Sequence, residues 1–193
     1  AAVLTTLLYG CESWTLYRRH VSKLDQFHLR CLRKIAHIRW QDMIPNTTVL
    51  ERCNIWGIEA FLIAAQLRWT GHVIRMPDYR IPKQTFYSQL AEGARSRGGQ
   101  HKRYKDTLKL HLKACDIPAG ELESLAFDRV NWRVKCRDGV CHFEEERIEI
   151  LKEKRRCRKE HAAAPARTEF RCNVCGRVCG SRIGLFAHRR THQ

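Results

Sequence analysis

The chain has 193 residues, with 36 Lys and Arg against 20 Asp and Glu, a formal net charge of +16, and 44% hydrophobic residues. That length holds one ordinary domain, or a modest domain with a small accessory module, and excludes a multidomain enzyme, while the apolar content excludes a fully disordered chain. No apolar run approaches the roughly 20 residues of a membrane span, so the chain reads as soluble, and its surplus of Lys and Arg calls for a polyanion such as nucleic acid, or for an anionic membrane surface.

Ala1 to Leu8 is apolar but has neither an initiator Met nor a basic flank, so it reads as the cut edge of a longer protein rather than a signal peptide. Val21, Leu24, Phe27, Cys31, Ile35 and Ile38 recur every three or four residues, which predicts an amphipathic helix over 18–38. Pro45 breaks that pattern, and Thr47 or Thr48 is the expected cap of a short helix through Cys53. Ile58, Phe61, Leu62, Ala65, Trp69, Val73 and Met76 predict a second amphipathic helix ending before Pro77, so that the two helices suggest an αα-hairpin.

Gly93 to Gln100 is rich in Gly and Arg and reads as a loop, after which Leu108, Leu112 and Cys115 resume helical spacing. Residues 93–113 hold 7 basic and 1 acidic residue, and 161–193 hold 6 and 1, so the positive charge concentrates in the middle and at the C-terminus. Pro118 marks a further helix start, with Leu122 and Leu125 on one face. Residues 144–160 are almost all Glu, Lys and Arg, the pattern of a solvated spacer helix, and Lys152 to Lys159 serves equally as a nuclear import signal. HAAAPAR, residues 161–167, is the expected linker. The domain reading is therefore a helical region 1–135, a charged helix and linker 136–169, and a terminal module 170–193.

Ten cysteines are scattered until Cys172, Cys175 and Cys179, and with no secretory signal they read as reduced thiols and a metal site. Cys172 and Cys175 are two residues apart, twelve residues follow, and His188 and His192 are three apart, the spacing of a two-Cys, two-His finger. A tight turn presents two thiolates to one ion and His at i and i+4 put two imidazoles on one helix face, which completes a tetrahedron around Zn2+. Phe170 and Leu185 take the small apolar core, and Cys179 fills the slot of an aromatic core residue. The positions that read bases in a DNA-binding finger fall on Ser181, Gly184 and Ala187, none of which makes a bidentate base contact. Arg177, Arg182, Arg189 and Arg190 are the expected phosphate contacts, joined by Arg95, Arg97, Lys102, Arg103 and Lys105 in the basic middle, with a merely solvated charged face as the alternative. Cys136, Cys141, His142, Cys157 and His161 form a looser constellation for which free thiols are the default.

Trp14, Trp40, Trp56, Trp69 and Trp132 fit either a core or a surface that stacks on unpaired bases. The sequence has no GxSxG, P-loop, HExxH or GxGxxG motif; His72 and His111 read as core or surface histidines, and Glu144, Glu145 and Glu146 as a mutually repelling solvated run.

YGCESWTL (9–16), FHLRCLRKI with RWQDMIPN, QLRWTGHVIRM (66–76), GGQHKRYKDTLKLHLK (98–113) and FDRVNWR (127–133) resemble, in order, the C-terminal portion of reverse transcriptases of non-LTR (LINE-type) retrotransposons. SRIGLFAHRRTH resembles the end of the finger that such polyproteins carry at their extreme C-terminus. The resemblance implies the thumb and connecting helices that follow a polymerase palm, then a finger that assists in holding RNA or target DNA. The family's paired polymerase aspartates have no counterpart here, as the chain has no adjacent Asp pair, and two-metal phosphoryl transfer needs such a cage. The expectation is thus a mainly α, zinc-binding, nucleic-acid-binding piece that is not itself an enzyme, located in the nucleus. Its expected partners are RNA or DNA and the rest of the polyprotein, and not a membrane. Alternatives are a protein-interaction module and a DNA-binding regulator.

Overall fold

The computed structural model describes residues 2–88, 102–163 and 170–192. They form a mainly α chain that divides into two compact units, Ala1–Leu151 and Lys152–Gln193. The predicted loop from Gly93 to Gln100, with Arg95 and Arg97, lies outside the described residues, as do positions 164–169.

In the first unit, α1 (Ala2–Leu7) leads through a short turn at Cys11–Ser13 into α2 (Arg18–Ile35). The α3 helix (Asn46–Cys53) follows Pro45, which itself occupies the N-cap position. The expected Thr cap is therefore corrected: Thr47 is buried within α3, because the fixed φ of proline already sets the helix entry and leaves the threonine to pack. Leu29 and Leu32 of α2 bury against Val49 and Leu50 of α3.

The α4 helix (Ile58–Ile74) is apolar nearly all round rather than along the single predicted stripe, and Ile58, Ala60, Leu62, Ile63, Leu67, Thr70 and Val73 are all buried. A helix of that kind belongs at the centre of its unit. One side packs on the Cys11–Ser13 turn and α2, another on α5 (Ile81–Tyr87), α6 (Tyr104–Ala114) and α7 (Leu122–Phe127). The α8 helix runs from Arg129 to Ala163, and its first part closes the main core by placing Trp132, Cys136 and Val140 with Ile63, Leu67, Ile74, Leu108 and Leu112. Trp132 is thus core, whereas Trp40 is exposed.

The solvated reading of 144–160 needs one correction, at Glu144, which is buried. Its Oε1 accepts from the Gly57 amide at 2.8 Å and from Arg147 Nη2 at 2.7 Å, and its Oε2 accepts from Arg147 Nε at 2.7 Å. A carboxylate with three donors offsets its desolvation, which sequence pattern alone does not reveal. Among the described residues no helix is long and apolar enough to cross a membrane.

In the second unit, β1 (Phe170–Arg171) pairs antiparallel with β2 (Val178–Cys179), with Phe170 opposite Cys179 and Arg171 opposite Val178, and α9 (Arg182–Arg189) follows.

Candidate metal centre

The hairpin turn brings Cys172 and Cys175 together. The Gly176 amide donates to the Cys172 carbonyl at 2.9 Å, and the Cys172 amide donates to the Arg177 carbonyl at 2.9 Å. Gly176 has φ +70°, a left-handed conformation that a residue without Cβ adopts freely. The α9 helix begins where Ser181 caps it, its Oγ accepting from the Gly184 amide at 3.0 Å. His188 lies in the last turn of α9 and His192 one turn on, so both imidazoles face the hairpin.

The ligand atoms of Cys172, Cys175, His188 and His192 all lie within 4.8 Å of one another. Cys175 Sγ is 3.0 Å from His188 Nε2, and the two Nε2 atoms are 3.1 Å apart. The protonation states also suit a metal. Amides of Cys175 and Val174 hydrogen-bond the Cys172 sulfur and hold its thiol below the ordinary range, which favours thiolate. Desolvation, with the charges of His192 and Arg177, lowers His188 and favours the neutral imidazole that ligates. These four residues are the sequence-predicted ligands, and the group can hold one metal ion. Cys179 is half-buried opposite Phe170 and stands outside the group.

The arginines of this unit divide. Arg177 and Arg182 are exposed, while Arg189 Nη2 donates to Asn173 Oδ1 at 2.5 Å and Arg190 sits 5.4 Å over the Phe186 ring. Of the expected contacts in the basic middle, Arg103 is exposed at the start of α6. Lys102 donates to the Leu16 carbonyl at 3.0 Å and lies over the Tyr17 ring, and Lys105 lies over the Phe86 ring, so both ammonium groups already have partners in the fold. The looser cysteine constellation is not among the candidate metal groups of the described residues, which do not include the His161 side chain. Burial pushes the Cys136 thiol up to about 12, with the neighbouring Cys115 adding to it, and that opposes thiolate ligation.

Comparison with family models, with curated proteins and with solved structures returned no match for this chain.

Proposed function

We propose that the chain is a zinc-binding, nucleic-acid-binding module and the C-terminal part of a non-LTR retrotransposon reverse transcriptase, with no catalytic residues of its own. The observation that carries the reading is the convergence of two cysteine sulfurs and two imidazole nitrogens within 4.8 Å on a ββα unit. A closed set of two thiolates and two imidazoles is the donor set of a structural zinc, whose tetrahedron has edges of about 3.3–3.8 Å. Bound zinc supplies folding free energy to a ββα segment of this size, in which, among the described residues, Cys172 is buried and Phe170, Cys179 and Leu185 are half-buried apolar side chains. The exposed Arg177 and Arg182 then offer phosphate contacts on a rigid scaffold, and the net charge of +16 supports a polyanionic partner, RNA or DNA. The blocks that resemble the retrotransposon family support the origin, and with it a nuclear location and the rest of the polyprotein as partner.

Anisotropy of labelled single-stranded RNA and duplex DNA, titrated at several salt concentrations with zinc and after chelation, tests the reading. Zinc-dependent binding that weakens steeply with salt is expected; a salt slope near zero overturns it.

A second reading, a finger that binds protein, has one observation in its favour: Ile183 and Phe186 on α9 are 83% and 64% exposed. It predicts a partner that is retained after nuclease treatment. A base-reading regulator has less support, since the Ser181 hydroxyl is engaged as the α9 cap.

A further inference from the structure

A cleft of about 630 Å3 opens in the first unit between residues of α4 and α8. That volume is within the ~300–1,000 Å3 of ordinary ligand sites. Arg68 lines it from α4 and Arg75 from the C-cap just after that helix, and Arg129, Arg133 and Arg137 from α8, against one carboxylate, Glu12. Trp56, Trp69 and Trp132 supply aromatic wall and floor.

Five guanidinium groups around one concavity repel one another unless an anion joins them. Among the described residues no carboxylate forms an ion pair with Arg68, Arg129 or Arg133, although Arg137 pairs with Asp138 at 3.1 Å and Arg75 donates to the Ala126 carbonyl. The repulsion is visible at Arg75, whose pKa is lowered by burial and then by the charges of Arg129 and Arg133. Arg129, Arg133 and Arg137 recur every four residues, so they form one row spaced about 6 Å along the helix. The half-buried Trp69 lies 5.4 Å, centroid to centroid, from the exposed ring of His72.

We propose that this cleft takes a single-stranded nucleic-acid segment, its phosphates on Arg68, Arg129, Arg133 and Arg137 and an unpaired base against Trp69. The inference rests on the nucleic-acid reading above and adds a site in the unit that does not contain the metal centre. A positive groove beside aromatic rings is the arrangement that holds single strands, because an unpaired base offers a face to stack and a paired one does not. Planar guanidinium groups match phosphate in two-point contacts, which a lysine row does not.

The test uses the full zinc-loaded chain and a fluorescein-labelled oligouridine. Arg129→Gln with Arg133→Gln removes two exposed charges that carry no ion pair, so the circular dichroism melt is expected to be unchanged. Affinity is expected to fall about tenfold, and the slope of log K against log salt to shrink by about 1.4, at ~0.7 per phosphate contact on a single strand. Trp69→Ala is expected to cost about tenfold and Trp69→Phe to restore most of it. Unchanged affinity and slope in the double variant, with binding abolished by chelation, would place all contacts on the finger and overturn the cleft while leaving the proposed function standing. A duplex of equal length, or heparin of equal charge, competing as well as the oligouridine would overturn base stacking in the cleft. Binding to no nucleic acid by the unaltered chain overturns both readings.

Discussion

The indole Nε1 of Trp132 donates to the carbonyl oxygen of Leu67 at 3.2 Å, across 65 residues of chain. This bond fixes the ring against α4 about one turn before Gly71, where an added Cβ would press into Nε1, Cδ1 and Cε2 of the same indole. Gly71→Ala is therefore expected to destabilise the helical unit by about 1–3 kcal/mol through overpacking, despite the ~1 kcal/mol that alanine gains in helix propensity. Trp132→Ala removes the crowded ring, so the double variant should lose less stability than the two single changes added together. Urea denaturation of the four proteins measures the coupling, and strict additivity would contradict the contact.

Glu144 offers a second test of how α8 is held. Glu144→Ala strands the Gly57 amide and leaves the Arg147 guanidinium without its carboxylate in a mostly buried place. Removing one member of such a pair typically costs about 3–5 kcal/mol. Replacing both, Glu144→Leu with Arg147→Met, should be milder, because neither charge of the pair is left behind, although the Gly57 amide still loses its acceptor and Asp25 the nearby Arg147 charge. Thermal melts of the two variants beside the unaltered chain decide the point, and equal losses would mean the pair contributes only its packing.

Apolar periodicity made α2, α4 and α6 legible as helices, but the buried stripe it marks holds only at α6: α2 buries His28, Leu29 and Leu32 while Phe27 and Ile35 are exposed, and α4 is buried nearly all round because helices pack on more than one of its sides. The metal ligands were legible because their spacing is local: a turn and one helical repeat bring all four together. Long-range polar relationships left no periodic trace. Glu144 looked solvated among charged neighbours, and its partner amide at Gly57 is 87 residues away. The row of Arg129, Arg133 and Arg137 has helical spacing but acquires meaning only when α4 and its C-cap bring Arg68 and Arg75 to the same cleft. Lys102 and Lys105, singled out by local charge density, instead rest on Tyr17 and Phe86.

His111 makes the helical unit sensitive to acid. Its Nδ1 lies in hydrogen-bond contact with Gln66 Oε1, and burial, with the nearby Lys102 charge, lowers its pKa to about 4. An unfolded histidine titrates near 6.5, so between about pH 6.5 and 4 the unfolded chain binds the proton that the folded chain refuses. Stability is therefore unaffected by this group above about pH 6.5, falls as the pH drops through that window, and levels off below about 4, a loss on the order of 3 kcal/mol. His28 is lowered in the same direction, mainly by burial, whereas Asp25 is raised by burial and works against the loss. Denaturant melts from pH 7.5 to 4.5 should show the decline, and His111→Gln should flatten it; an unchanged slope in that variant would assign the effect elsewhere.

Metal removal should act on the second unit and spare the first. The ββα unit buries Cys172 but leaves Val174, Val178, Ile183 and Phe186 exposed, so little apolar burial remains to hold it once the ion is gone. Chelation is expected to abolish the protection from proteolysis of residues 170–192 while the far-UV helical signal of the first unit persists. Cobalt substitution gives a second readout, since tetrahedral coordination by two thiolates produces a visible absorption band. Cys175→Ala and His188→Ala should each lose that band, because each removes one of four ligands from a closed site. Cys179→Ala should retain the full band and lower only the unfolding temperature of the finger, as expected for a small apolar residue opposite Phe170. A Cys179 variant that loses the cobalt band while Cys175→Ala keeps it would exchange the roles of those two thiols.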